Sequence, residues 1–302
     1  MKVRSGPDGI HFFDRASGLN VLLDEQIPPR LEWSVAPRQV SIALLNACDL
    51  ACSHCYAPKS GAILSTSDVK NWMSELDRSG CFGVGFGGGE PTLHPGIEEI
   101  CLFGQTETSL AMTMTTHGHH LTAELISSLS RSLNFIRLSM DGVRSTYEVV
   151  RRRSFDAFTE RVKAVSEMLP FGINFVVNQT TIGDIEEAVS FGEKMGASEF
   201  LLLPEVSFGR GSKIDPNTLC KIKDWVKQYK GTMSLAVSSN FAEEFSCELP
   251  LAKESASEAY AHIDADARLK SNSFETEGVR IGDGGVIAAL RAMNSRIEAF
   301  NV

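Results

Sequence analysis

The chain has 302 residues, 43% of them hydrophobic and 22% charged, with a formal net charge of −9, which suits one large globular domain or a medium one with appendages. The acidic balance argues against a broad nucleic-acid surface, which needs clustered Lys and Arg, and no run of about eighteen apolar residues offers a membrane span. The N-terminal MKVRSGPDGIHFFDR lacks the apolar core of a signal peptide and the seven cysteines are scattered, so a reducing, cytoplasmic setting is expected rather than a secreted disulfide framework.

Residues 1–37 are expected to form a small β-hairpin arm. Apolar, β-prone Ile10–Phe13 and Leu19–Leu23 flank the glycine-assisted turn Asp14–Gly18, and Pro28 and Pro29 then break the chain. Such an arm would cover one edge of the main sheet. From Gln39 a strand leads straight into the loop NACDLACSHCYAP, residues 46–58. A helix with Val69, Trp72, Met73 and Leu76 on one face follows Ser and Thr capping candidates, and a short buried strand, Cys81–Phe86, ends in glycines. Further strands are expected at 109–115, 135–140, 173–178 and 200–203, with helices at 121–129, 155–169 and 185–195. This alternation implies a parallel sheet wrapped by helices, an α/β fold. Six such units within residues 38–212 fit a partial (β/α)6 barrel.

Residues 213–302 alternate less regularly and are expected to form an α+β extension: a helix over Leu219–Tyr229, a strand over Met233–Val237, a polar stretch from Cys247 to Ala261, a β-like pair (AHIDADARLK, FETEGVRIG) and a closing helix, Val286–Phe300.

Chemistry in such barrels collects at the C-terminal ends of the strands, and the polar signals fall there. Cys48, Cys52 and Cys55 leave gaps of three and two residues in the loop after the first strand. Three thiolates can hold three corners of a cubic iron–sulfur cluster and leave one iron open. A zinc knuckle is the alternative, with His54 as fourth ligand, although zinc favours paired CxxC or Cys/His spacing. The second strand ends in GFGGGEPT, where glycines at 87–89 let backbone approach a ligand and Glu90 offers an acceptor for an ammonium. Thr115-Thr116-His117-Gly118 ends the third strand, LSMDG with Ser139 and Asp141 the fourth, Asn178 the fifth and Pro204-Glu205 the sixth. Arg151, Arg152 and Arg153 precede the helix that begins near Phe155; three cations at a helix N-terminus oppose its dipole, so an anion is expected beside them. His117, His119 and His120 could serve as a metal site or a general base, though neighbouring loop histidines are more often hydrogen-bonded or exposed.

The cysteine loop together with the Gly88-Gly89-Glu90 segment resembles the radical SAM superfamily. That resemblance implies a [4Fe–4S] cluster on Cys48, Cys52 and Cys55, with S-adenosyl-L-methionine bound through its amino and carboxylate groups at the open iron. An external one-electron reductant such as flavodoxin or ferredoxin would drive cleavage to methionine and a 5′-deoxyadenosyl radical, which abstracts hydrogen from the substrate. It further implies that Tyr56 seats the adenine, that Gly88, Gly89 and Glu90 bind the amino group, that Ser139 hydrogen-bonds the ligand, that Arg151 meets its carboxylate, and that Thr115 and Asn178 line the pocket; Asp141 is expected to cap the loop or orient neighbours. His117 stands where the family carries asparagine. No catalytic side chain is singled out. Residues 261–274 resemble, more faintly, the hairpin of SPASM and twitch extensions, with Ala267, Ser271 and Asn272 in place of glycine, proline and cysteine. The extension is therefore expected to be twitch-like and without auxiliary cluster ligands, Cys247 alone being insufficient. By the same resemblance the substrate is a ribosomally made peptide or, second, a small molecule such as a nucleoside, sugar or cofactor precursor. A non-catalytic, metal-pinned binding protein is the rival from another class.

Overall fold

The computed structural model describes residues 1–245, 247, 251 and 253–300. Parts of the Cys247–Ala261 stretch, residues 248–250 and 252, and the last two residues, 301 and 302, lie outside these described residues. In chain order the elements are β1 (Lys2–Gly6), β2 (Gly9–Phe13), β3 (Asn20–Leu23), β4 (Gln39–Leu45), α1 (Thr66–Arg78), β5 (Gly83–Gly88), α2 (Ile97–Glu107), β6 (Ala111–Thr116), α3 (Ala123–Leu129), β7 (Phe135–Ser139), α4 (Arg144–Arg151), α5 (Phe155–Ser166), β8 (Phe171–Val177), α6 (Ile185–Met195), β9 (Glu199–Pro204), α7 (Pro216–Gln228), β10 (Ser234–Val237), α8 (Ala256–Ala259), β11 (Tyr260–Ile263), β12 (Arg268–Lys270), β13 (Val279–Arg280) and α9 (Gly285–Phe300).

Strands β4 to β9 lie side by side in sequence order, each parallel to the next, as the alternation of strand and helix requires. The six-unit barrel expectation therefore holds, and β10 adds a seventh parallel strand beyond β9. At the other edge β11 pairs parallel with β4, and β12 and β13 continue antiparallel, so the sheet has ten strands among the described residues. Residues from the C-terminal third thus extend both edges of one sheet.

Period-two alternation sorts the side chains. In β6, Met112 and Met114 are buried beneath the helices while Thr113 and Thr115 turn to the concave face. Register places Ser41, Gly85, Thr113 and Phe135 in one row of that face, and Ser139, Asn174 and Leu201 in another. On the convex side α1 shows why the helices form. The Ser65 hydroxyl accepts the Asp68 N–H at 3.0 Å, and Val69, Trp72, Met73 and Leu76, at i, i+3, i+4 and i+7, are buried against the sheet.

The arm differs from expectation in two ways. A third strand, β1, precedes the hairpin, and the resulting antiparallel sheet lies beneath the N-terminal ends of the barrel strands rather than along a sheet edge. Long-range contacts place it there. His11 and Phe13 pack on Phe82, just before β5, with ring centroids 4.9 and 5.2 Å apart. The Arg15 guanidinium donates to the carbonyls of Gln105, Thr108 and Leu110, each at 2.9 Å, which satisfies carbonyls left open where α2 ends.

Candidate active site

The cysteine loop springs from the C-terminal end of β4 and is stapled at its root. Asn46 N–H donates to Ala62 O at 3.0 Å, and the Asn46 amide donates to Ser60 Oγ at 3.0 Å. Cys52 is buried, and Cys48 and Cys55 are half-buried. Beyond Cys55, Arg210 N–H donates to the Cys55 carbonyl at 3.0 Å, so the loop after β9 closes over the cysteine loop. Gly209 fits there with φ +61 and its backbone against Tyr56, where a side chain would strike the Tyr56 backbone. The Tyr56 ring is partly exposed and packs on Phe274, which in turn meets Phe208, with centroids 5.2 and 5.8 Å apart.

The glycine turn after β5 backs onto the same root. Gly89 N–H donates to Leu45 O at 2.7 Å and Glu90 N–H to Ala47 O at 2.9 Å. Gly88 has φ +119, and a Cβ at Gly89 would collide with Ala47 O, whereas Gly87 faces open space. The Glu90 carboxylate is buried and well supplied with donors. Its Oε1 accepts from Thr92 N (3.1 Å), Thr92 Oγ1 (2.6 Å) and Thr116 Oγ1 (2.6 Å), and its Oε2 accepts from His117 N (3.0 Å). Any further donor must therefore approach Oε2.

His117, unlike a loop histidine exposed to solvent, is buried and joins two strand ends. Its Nδ1 accepts His119 N–H at 3.1 Å, so its proton sits on Nε2, which donates to Asp49 Oδ1 at 2.9 Å with Glu90 Oε2 at 3.3 Å. Burial lowers the His117 pKa, against the pull of Glu90 and Asp49. Asp49 also pairs with Arg153 at 2.8 Å; burial works to raise its pKa, but the Arg153 hydrogen bond and His117 hold it well below the usual carboxylate range.

A second cluster lies under Cys52. Arg151 Nη1 points at Cys52 Sγ at 3.6 Å, its other amine pairs with Asp141 Oδ2, and His54 Nε2 stands 3.0 Å from the same oxygen. Asp141 Oδ1 accepts Val176 N–H at 2.8 Å. Burial would raise the Asp141 pKa, yet Arg151 and His54 keep it far below the usual range. The three arginines precede the helix that begins at Phe155, α5, as expected, but they also sit at the end of another: Arg151 ends α4 and Arg152, at φ +54, caps it. Cations there complement the helix dipole, and the anions beside them are Asp141 and Asp49.

Around one loop the structure thus gathers Cys48, Cys52, Cys55, Gly88, Gly89, Glu90 and Arg151. Thr115 and Ser139 stand on the concave wall below it. Asn178 is engaged in its own turn, its amide donating to Glu205 Oε2 at 2.8 Å and its Oδ1 accepting Thr180 N–H at 2.9 Å. Asp49 was not singled out from the sequence, and only its position inside the cysteine loop could have flagged it; His54, Arg153 and Glu205 were named there without the partners they have here, Asp141, Asp49 and Asn178.

The donor set suits a cluster with an open iron. Three thiols come from one loop, and two buried nitrogens beside it, Arg151 Nε and His54 Nδ1, find no hydrogen-bond partner among the described residues. Cys48, Asp49 and His117 also bring ligand atoms within 4.8 Å of one another, close enough to hold a single metal ion. Past residue 212 the sequence has two cysteines, Cys220 and Cys247, both exposed.

The family model described as Radical SAM superfamily matches residues 42–192. Over 223 residues the chain is 26% identical to the AdoMet-dependent heme synthase of Methanosarcina barkeri, covering 70% of this chain and 63% of that protein. It is 28% identical over 173 residues to the mycofactocin maturase MftC of Mycobacterium tuberculosis, covering 54% of this chain and 44% of that one. The chain therefore spans less than two thirds of these relatives' length. Its fold is similar to that of Streptococcus suis SuiB, whose structure with S-adenosylmethionine gives a TM-score of 0.73 at 15% identity over 90% of this chain and 81% of that one. The SuiB structure with the precursor peptide SuiA gives 0.72 at 17% identity over 85% and 65%.

Proposed function

Since the chain belongs to the radical SAM superfamily, we propose that it is an enzyme that holds one [4Fe–4S] cluster on Cys48, Cys52 and Cys55 and uses it on S-adenosylmethionine. The observation that carries this reading is the packing of the thiol loop against the Gly88-Gly89-Glu90 turn, at the strand ends where such barrels do chemistry. When bound, the pair supplies one-electron cleavage chemistry and a radical able to abstract hydrogen from a substrate. The chain's own residues supply the setting. Gly87 leaves room for a ligand on the concave face. Glu90 Oε2 and the carbonyls of the glycine turn offer acceptors to an ammonium, and Arg151 Nε offers a donor to a carboxylate. Tyr56 presents a ring for an adenine, with Thr115, Ser139 and Asn178 on the wall beneath. The loop after β9 covers the cysteines and helps to exclude water.

The substrate in this reading is a ribosomally made peptide. SuiB, of similar fold, has been seen with a precursor peptide, and MftC is a maturase. The outer strand β3, with Val21 and Leu23 exposed, can offer an edge to an extended leader segment. A small-molecule substrate is the second reading, favoured by the likeness to a heme synthase. We divide the chain at residues 38 and 213 into an arm, a barrel and a twitch-like extension without auxiliary cluster ligands, and place the protein in the cytoplasm with a flavodoxin- or ferredoxin-type reductant.

Anaerobic reconstitution with iron and sulfide, reduction by dithionite and assay of 5′-deoxyadenosine tests the chemistry; formation that Cys52→Ala abolishes is expected, and no cleavage with any reductant would overturn it. Titration with a precursor-type peptide tests the substrate class. Micromolar binding supports the peptide reading, and its absence moves the weight to a small molecule.

A further inference from the structure

Arg151 is the last residue of α4, its side chain 10% exposed, and points its Nη1 at Cys52 Sγ from 3.6 Å. Nothing in the chemistry of ligand binding requires a guanidinium on a cysteine that itself ligates iron. A cluster gains one negative charge when it is reduced, and hydrogen bonds to its sulfurs together with nearby positive charge favour that more negative state. In a buried site the effect is large because little solvent screens it.

We propose that Arg151, held in place by Asp141, sets how readily the cluster accepts its electron. The inference rests on the functional reading above, since it needs a cluster on Cys48, Cys52 and Cys55. Asp141 is a positioning residue. Its Oδ2 pairs with Arg151, and its Oδ1 is fixed by Val176 N–H at 2.8 Å, so the guanidinium cannot swing from Cys52 without leaving a buried carboxylate unpaired. His54 Nε2, 3.0 Å from Asp141 Oδ2 and one residue before Cys55, ties the same carboxylate to the cysteine loop. The guanidinium lies 3.6 Å from Cys52 Sγ and the Asp141 carboxylate is paired behind it. Negative charge added to the cluster is drawn by the first group and repelled by the second. Removing the cation should therefore make reduction harder, and neutralising the anion should make it easier. A purely structural role for the pair would not produce opposite shifts.

The test is an EPR-monitored redox titration of the reconstituted full chain without S-adenosylmethionine, so that ligand binding does not enter. Relative to the wild type, Arg151→Gln is expected to disfavour the reduced cluster by about tenfold, a midpoint lower by about 59 mV for one electron. Asp141→Asn keeps a side-chain oxygen to hold the guanidinium while it removes the negative charge, and is expected to shift the midpoint the opposite way. Arg151→Lys keeps the charge and is expected to fall between the wild type and Arg151→Gln; should Arg151→Gln assemble no cluster, Arg151→Lys and Asp141→Asn decide alone, by lying on opposite sides of the wild type. Midpoints that all coincide with the wild type, or that move in one direction, overturn the inference while leaving the functional reading intact. A wild-type chain that assembles no cluster overturns the functional reading itself.

Discussion

Single residues carry two sharp expectations. Gly89 and Gly87 are two positions apart in one turn, yet a Cβ at the first would strike Ala47 O and at the second would meet nothing. Gly89→Ala should therefore displace the root of the cysteine loop and lower iron incorporation severalfold, while Gly87→Ala keeps both fold and cluster; iron content and circular dichroism of the pair check this. His262 is buried, its Nδ1 2.6 Å from Ser41 Oγ, and burial together with Lys270 lowers its pKa to about 4. The unfolded chain, with an ordinary histidine near 6.5, takes up more protons between those two values. Stability from this group is thus complete above about pH 6.5 and is lost as pH falls toward 4, by about 2 kcal/mol at pH 5. Urea unfolding at pH 7.5 and 5 should show a steeper loss for the wild type than for His262→Gln; equal losses would refute it. The cysteines and glycines were legible because their chemistry is local. The pairs Asp49–His117 and His54–Asp141 join residues far apart in the chain, and no spacing rule connects them.

At the scale of elements, legibility followed the length of the apolar stripe. α1, with a serine cap and four buried positions, could be read directly. α4 could not: it has eight residues, buries only Tyr147 and Val150, and follows Val143, which gives no side-chain cap. Without it the arginines could be weighed only against the N-terminus of α5 and not against the end of α4 that Arg151 complements. β1, KVRSG, has no apolar alternation to announce it. Two substitutions test the local physics. Ala267 sits at φ +58 in the turn between β11 and β12, a conformation that costs a non-glycine residue roughly 1 kcal/mol, so Ala267→Gly should stabilise the fold by about 0.5–1 kcal/mol. Ser65→Ala removes the α1 cap and should destabilise by about 1 kcal/mol. Both are read from denaturation midpoints at unchanged slope.

For the whole molecule, the alternation of strand and helix gave the parallel sheet, with the candidate site residues at its C-terminal strand ends. It did not give the position of the arm, which depends on Arg15 reaching the carbonyls where α2 ends, nor the way the C-terminal third splits between two sheet edges. Such placements are set by tertiary contacts. The central claim is that three cysteines leave one iron free for S-adenosylmethionine. It is tested most directly by the EPR signal of the reduced, reconstituted protein before and after that ligand is added. The account predicts about four irons and four sulfides per chain, as a [4Fe–4S] cluster requires, and a signal that changes on addition. One zinc per chain without sulfide, or a cluster whose signal is indifferent to the ligand, would contradict it.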